Sequence, residues 1–153
     1  MNPKPIKRHS ALQNLSREHH DILVFGLRVK KGIAKQAKVS DLQDYSDWFW
    51  ENYLKEHFEL EEESLFPLFN VKSDLMQTAL AQHQDLKLQF NKPEKSISDF
   101  KKLYESLKQH IRFEERELFN KIQNQVDESS LNNFSNLHKK QQACGVWLNA
   151  FWK

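Results

Sequence analysis

The 153-residue chain sets 23 Lys plus Arg against 21 Asp plus Glu, a near balance that excludes the strongly basic surface nucleic acid requires. With 3 Gly and 4 Pro beside 39% hydrophobic and 29% charged residues, it is rich in helix formers and poor in the turn residues an all-β protein needs. The length fits one domain, residues 1–153, and the composition predicts an all-α fold.

The predicted elements follow from the apolar period. The basic start, Met1 to His9, has no apolar stretch behind it and so does not read as a secretory signal. A first helix is expected from about Ser10 to about Ala37, with Leu12, Leu15, His19, Ile22, Leu23, Gly26, Val29 and Ile33 on one stripe. Ser40, three residues before Gln43, reads as a capping box that opens a second helix. Its stripe holds Trp50, Leu54, His57, Glu61, Leu65 and Leu68, with Pro67 near the end; Tyr45, Trp48, Trp50 and Tyr53 are read as packing residues. Ser73 caps a third helix bearing Met76, Leu80, His83, Leu86 and Phe90, closed by Pro93. Ser96 or Ser98 caps a fourth, with Phe100, Leu103, Leu107, His110, Glu114, Leu118 and Ile122 facing inward.

Four long amphipathic helices with short connections predict an up-down antiparallel four-helix bundle, here about residues 10–125. A further apolar stretch, about 129–152, predicts a C-terminal helix that caps the bundle, with self-association as the other use of its surface. His9 and His138 are read as surface residues, and the lone Cys144 as a small buried hydrophobe. No disulfide can form within the chain and no segment reads as membrane-spanning, so a cytoplasmic protein is expected, as a monomer or small homo-oligomer.

Two stretches repeat each other: His57-Phe58-Glu59-Leu60-Glu61-Glu62 and His110-Ile111-Arg112-Phe113-Glu114-Glu115, both followed two residues later by Leu-Phe. Histidine and glutamate four apart share one helix face, so each copy presents an imidazole with a carboxylate. The stripes of the first and third helices add His19 and His83. His20 competes with His19, but adjacent residues point about 100° apart and the Leu12, Leu15, Ile22 period favours His19. A single inward histidine is ordinarily a hydrogen-bonded core residue; four on four helices, with two inward glutamates, are not independent, because buried carboxylates need a pairing charge.

Imidazole and carboxylate suit iron, and manganese and zinc accept the same ligands, whereas the absence of a cysteine cluster argues against structural zinc and iron–sulfur sites. Six ligands in two similar halves divide as two histidines per metal with Glu61 and Glu114 bridging. No histidine has Glu three residues before it, as ferritin-like di-iron sites require, and there is no HExxH or phosphate-binding glycine loop.

With Arg17-Glu18-His19, His57 with Glu61, Ala81-Gln82-His83 and His110 with Glu114 in this order, the chain from about 10 to 125 resembles the hemerythrin-like, HHE cation-binding domains. The resemblance implies a non-haem di-iron centre, oxo- or hydroxo-bridged, with His19 and His57 on one iron, His83 and His110 on the other, and both glutamates bridging. Oxygen carriers of this family have a second histidine one turn after that of the third helix; here that position is Lys87, which leaves both irons with an open position. Glu18, His20, Glu62, Asp85 and Glu115 are near enough in sequence to fill one. The expectation is therefore a protein that binds or senses dioxygen, peroxide, nitric oxide or iron itself. The alternatives are a di-iron enzyme acting on peroxide or nitric oxide, and a zinc-binding or metal-free helical scaffold.

Overall fold

The computed structural model describes residues 7–70, 72–138 and 147–153. Five helices form it, and no strand occurs among the described residues. Helix α1 (Gln13–Ala34) follows a 3-10 turn, Ser10–Leu12. His9 caps that turn: its Nδ1 accepts the Ala11 N–H at 3.0 Å, and its Nε2 meets Glu128 at 3.0 Å. His9 is therefore a half-buried structural residue, not the surface residue expected. Helix α1 ends three residues before Ala37, because Gln36 takes the left-handed conformation (φ 59°) and Ala37 N–H returns to the Gly32 carbonyl at 2.9 Å.

Helix α2 is one helical run, residues 39–65, built from Val39–Phe49, a π-helical turn Trp50–Leu54, Lys55–Leu60 and a second π-helical turn Glu61–Leu65. It opens one residue before Ser40, with Lys38 at the N-cap and no side-chain cap, so the expected capping box does not form. Gln43 instead accepts the Lys95 N–H at 3.0 Å and donates to Asp47 at 3.0 Å. A π turn inserts about one residue into the helical period. Past Glu61 the buried stripe accordingly moves to Leu65 and Phe66, and Leu68, expected inside, is 37% exposed.

Helix α3 (Asp74–Phe90) starts at Ser73, whose hydroxyl accepts the Met76 N–H at 3.2 Å; Ala79 rather than Leu80 takes the buried place. Helix α4, residues 97–125, comprises Ile97–Phe113, a π-helical turn Glu114–Leu118 and Phe119–Gln125. Of the two serines, Ser96 is the cap, in a reciprocal capping box with Asp99. Helix α5 (Glu128–Leu137), capped by Asp127, packs on the Ser10–Leu12 turn.

The C-terminal segment departs from the expected helix over 129–152. Helix α5 stops at Leu137, Cys144 lies outside the described residues, and residues 147–153 are not helical. Trp147, Phe151 and Trp152 lie against Tyr45, with ring centroids 5.4–5.6 Å away, and the Arg28 guanidinium sits 4.4 Å over the Trp152 ring. This aromatic group covers the end of the bundle where α1 passes to α2.

Helix α1 packs on α2 and α4, and α3 on α4. Ring contacts join α2 to α3: Trp50 to Phe90 at 5.5 Å and Phe58 to His83 at 4.0 Å. The short connections 35–38, 69–73 and 91–96 make neighbours antiparallel, as an up-down bundle requires. The core falls into two apolar clusters. One, with Ile22, Phe25, Leu42, Phe49, Phe90 and Phe100, fills the end under the C-terminal aromatics; the other, with Leu12, Leu15, Phe66, Leu118, Phe119 and Phe134, fills the end under α5. Each such buried side chain contributes about 1.5–3 kcal/mol. Between the clusters lies a layer of buried histidines and glutamates. Among the described residues no helix is long and apolar enough to cross a membrane.

Candidate metal centre

All six expected side chains converge on this layer. His19, His57, His83 and His110 are 1–3% exposed, and Glu61 and Glu114 are fully buried. His19 Nε2 stands 3.0 Å and His110 Nε2 3.2 Å from Glu114 Oε1. His57 Nε2 lies 3.1 Å and His83 Nε2 3.4 Å from Glu61 Oε1, and His83 Nε2 is 3.6 Å from Glu114 Oε2. Two metal-sized groups result, His19, His57, Glu61, Glu114 and Glu61, His83, His110, Glu114, the ligand atoms of each within 4.8 Å of one another. The two glutamates belong to both. His20 points to solvent, so α1 presents His19 to the layer.

Two of the three π turns start at these glutamates, and Phe66 N–H and Phe119 N–H return to the Glu61 and Glu114 carbonyls five residues back. The wide turns let a helix carry an inward carboxylate and then resume apolar packing through Leu65 and Phe66, or Leu118 and Phe119.

Three of the four imidazoles are oriented through their other nitrogen. His57 Nδ1 lies 2.7 Å from Glu18 Oε1 and His110 Nδ1 2.7 Å from Gln82 Oε1. His19 Nδ1 lies 3.1 Å from Glu115 Oε2, which also accepts from the Ser16 hydroxyl at 2.9 Å. His83 Nδ1 is 3.4 Å from Glu62 Oε2, close enough for attraction but without hydrogen-bond geometry. Carboxylate and amide oxygens only accept, so the Nδ1 atoms of His57, His110 and His19 are N–H donors and the Nε2 lone pairs face inward. Glu18 and Glu115 thus hold their histidines from behind, Glu62 lies behind His83, and none of the three belongs to either ligand group. Asp85 is an exposed residue that accepts from Gln89 at 2.8 Å.

Four Nε2 atoms and all four oxygens of Glu61 and Glu114 are buried without a hydrogen-bond partner. Acceptors facing acceptors in a buried layer are costly, and positive charge must be supplied there by metal ions or by protons. Without metal, protons do so. Burial lowers the His19 imidazole, but the adjacent Glu114 and Glu115 carboxylates outweigh this and push it up to about 10. His83 is also raised well above its ordinary value: burial opposes the rise, and Glu114 and Glu61 prevail. Burial raises Glu114, yet His110, His19 and His83 hold it well below the usual carboxylate range. His110 behaves differently, because there burial prevails and its affinity for a proton falls. The donor set fits two cations of the imidazole and carboxylate class, with no cysteine among the grouped ligands.

His138 was expected at the surface but is 5% exposed, its Nε2 donating to Glu18 Oε2 at 2.9 Å. Burial raises the Glu18 carboxyl, but the hydrogen bonds from His138 and His57 hold it at about 2. Periodicity did not single out Glu18, Gln82 or His138 as partners. A signal was present for the first two, since each immediately precedes a lone inward histidine, while Glu62 and Glu115 each immediately follow an inward glutamate. His138 carries no such mark.

A cavity of about 320 Å³ reaches His57, Glu18 and His138, and another of about 250 Å³ reaches His83 beside Lys87 and Trp50. Lys87, at the position of the carriers' additional histidine, is exposed.

The family model of the hemerythrin HHE cation-binding domain matches residues 10–122, so the chain belongs to that family. No curated protein and no solved structure matches it. The class defined by fold and site is thus a helical cation-binding domain whose buried His and Glu groups could hold metal.

Proposed function

We propose that the protein holds two iron ions, one between His19 and His57 and one between His83 and His110, both bridged by Glu61 and Glu114, and that it binds or senses dioxygen or a related small molecule. The observation that carries this reading is the inward set of Nε2 and carboxylate atoms with no hydrogen-bond partner, shared between two four-residue groups. Imidazole with carboxylate suits iron, which supplies reversible electron exchange with dioxygen.

The chain's own part is positional. Glu18, Glu115 and Gln82 fix the tautomers of His57, His19 and His110 and aim their Nε2 atoms. Phe58 stacks on His83 at 4.0 Å and Phe119 on His19 at 5.2 Å, the two rings coming from the apolar clusters on either side of the layer. Glu61 and Glu114 bring negative charge to both positions at once. The cavity beside His83 supports the second reading, turnover of peroxide or nitric oxide. Protein loaded with ferrous ion under argon is expected to bind two irons per chain, and to gain a visible absorption band on admission of dioxygen that fades on return to argon. Iron content well below two, or no dioxygen-dependent band, refutes the binding reading; peroxide consumption no faster than that of free iron removes the second.

A further inference from the structure

The bundle has an approximate two-fold symmetry of function: α1 corresponds to α3 and α2 to α4. Each HxxxE histidine receives its rear partner from the residue preceding the lone histidine of another helix, Glu18 for His57 and Gln82 for His110. Each lone histidine receives its partner from the residue following a bridging glutamate, Glu115 for His19 and Glu62 for His83. The symmetry is broken in two ways, and both favour the same half. Gln82 is a neutral amide where its counterpart Glu18 is a carboxylate. Glu62, with its side chain 42% exposed, lies 3.4 Å from its imidazole without hydrogen-bond geometry, where its counterpart Glu115 is 3.1 Å away and held also by Ser16.

We propose that the two metal positions are unequal, the one between His19 and His57 binding tightly and the one between His83 and His110 being exchangeable, with His138, the residue that follows helix α5, enforcing the difference. This rests on the two-metal reading above. A carboxylate behind an imidazole raises its strength as a ligand and fixes its orientation, and loss of such a partner costs about 10–100-fold in metal affinity. The His19–His57 half has two hydrogen-bonded carboxylates, and the other half has an amide and a distant, solvated carboxylate. Glu18 is moreover 1% exposed and pinned through its second oxygen by His138 Nε2 at 2.9 Å, so its orientation behind His57 is fixed by a residue just past helix α5, beyond the matched residues 10–122. His138 is a positioning residue in this scheme, since it touches no ligand atom of the metal.

The test is titration of metal-free protein with Zn²⁺, read by the ring-nitrogen NMR signals of the histidines and by competition with a chromophoric chelator. The first equivalent is expected to move the Nε2 signals of His19 and His57, assigned by the His57→Gln variant, and the second those of His83 and His110. Glu18→Gln is expected to weaken the first step about tenfold or more, and His138→Ala to weaken it in the same direction. Gln82→Glu, a change at a part-exposed position that leaves every ligand in place, is expected to strengthen the second step about tenfold and to spread the first equivalent over both halves. Two zinc ions bound with the first equivalent shared evenly in the unaltered protein, or an unchanged second step in Gln82→Glu, overturns the inequality while leaving the two-metal reading intact. Saturation at fewer than two zinc ions, or histidine signals that do not move, overturns the two-metal reading itself.

Discussion

Gly32 offers a direct test of how the C-terminal aromatics hold to the bundle. A Cβ at this position would stand 2.6 and 2.7 Å from two atoms of the Phe151 ring and 3.1 Å from Leu42. To restore a 3.4 Å contact the ring must retreat by about 0.8 Å, and forced overpacking of this kind costs about 1–3 kcal/mol. Helix α1 is regular here and cannot yield, whereas residues 147–153 have no helical hydrogen bonds to hold them in place. In Gly32→Ala the segment should therefore leave its seat, giving up its contacts with Tyr45, while α1 gains up to about 0.5–1 kcal/mol from replacing a glycine in its last turn. Net stability in urea should fall by between about 0 and 2.5 kcal/mol, the overpacking cost less the helix gain. Of the 4 tryptophan indole N–H signals, those of Trp147 and Trp152 should shift to solvent-exposed values. In a chain ending at residue 146 the same substitution should stabilise by the full 0.5–1 kcal/mol or about that. If Gly32→Ala stabilises the full chain by as much and leaves the indole signals in place, the docking described here is refuted.

Three further outcomes are expected. A chelator should lower the melting temperature, since a cation at a hundred times its dissociation constant adds about 2.7 kcal/mol, or about 5–10 °C for a chain of this size; calorimetry with no such shift would remove the stabilising role of metal. Metal uptake should release protons, because His19, pushed up to about 10, is protonated at neutral pH in the metal-free layer and must lose that proton to coordinate. Affinity should therefore rise with pH over the neutral range, and a pH-stat titration with no proton release contradicts the assignment. Gln36→Gly should stabilise by about 0.5–1 kcal/mol, as glycine relieves the positive φ but loses more entropy on folding; urea denaturation showing destabilisation would mean Gln36 makes a compensating contact.

The helices and the six inward residues were legible because they repeat on a helical period and because His and Glu on an apolar stripe conflict with burial. His57 with Glu61 and His110 with Glu114 announce themselves by spacing alone. What escaped depended on phase and on distance along the chain. Leu68 turned outward because a π turn shifts the period by one residue, and no residue between Glu61 and Leu65 marks such a turn. Ser40 lost its cap because Lys38 already opens the helix and Gln43 is engaged by Lys95, a partner 52 residues away. His138 was unreadable for the same reason: its acceptor, Glu18, is 120 residues distant and lies on no face that α5 shares. A stretch of apolar residues from 129 to 152 does not by itself distinguish a continuous helix from a short one followed by an aromatic segment seated elsewhere.

The pairing of the histidines with the glutamates bears on how the halves of the bundle are joined. The hairpin of α1 and α2 carries His19, His57 and Glu61, and that of α3 and α4 carries His83, His110 and Glu114. Each hairpin owns both imidazoles of one cation position but only one of the two carboxylates that the position needs. Neither half is complete until the other docks, so a metal ion held at either position would act as a rivet through the seam between two hairpins. An isolated hairpin would have to find a second copy of itself to make the same pair of sites, and the full chain is, in this sense, a dimer written as one molecule.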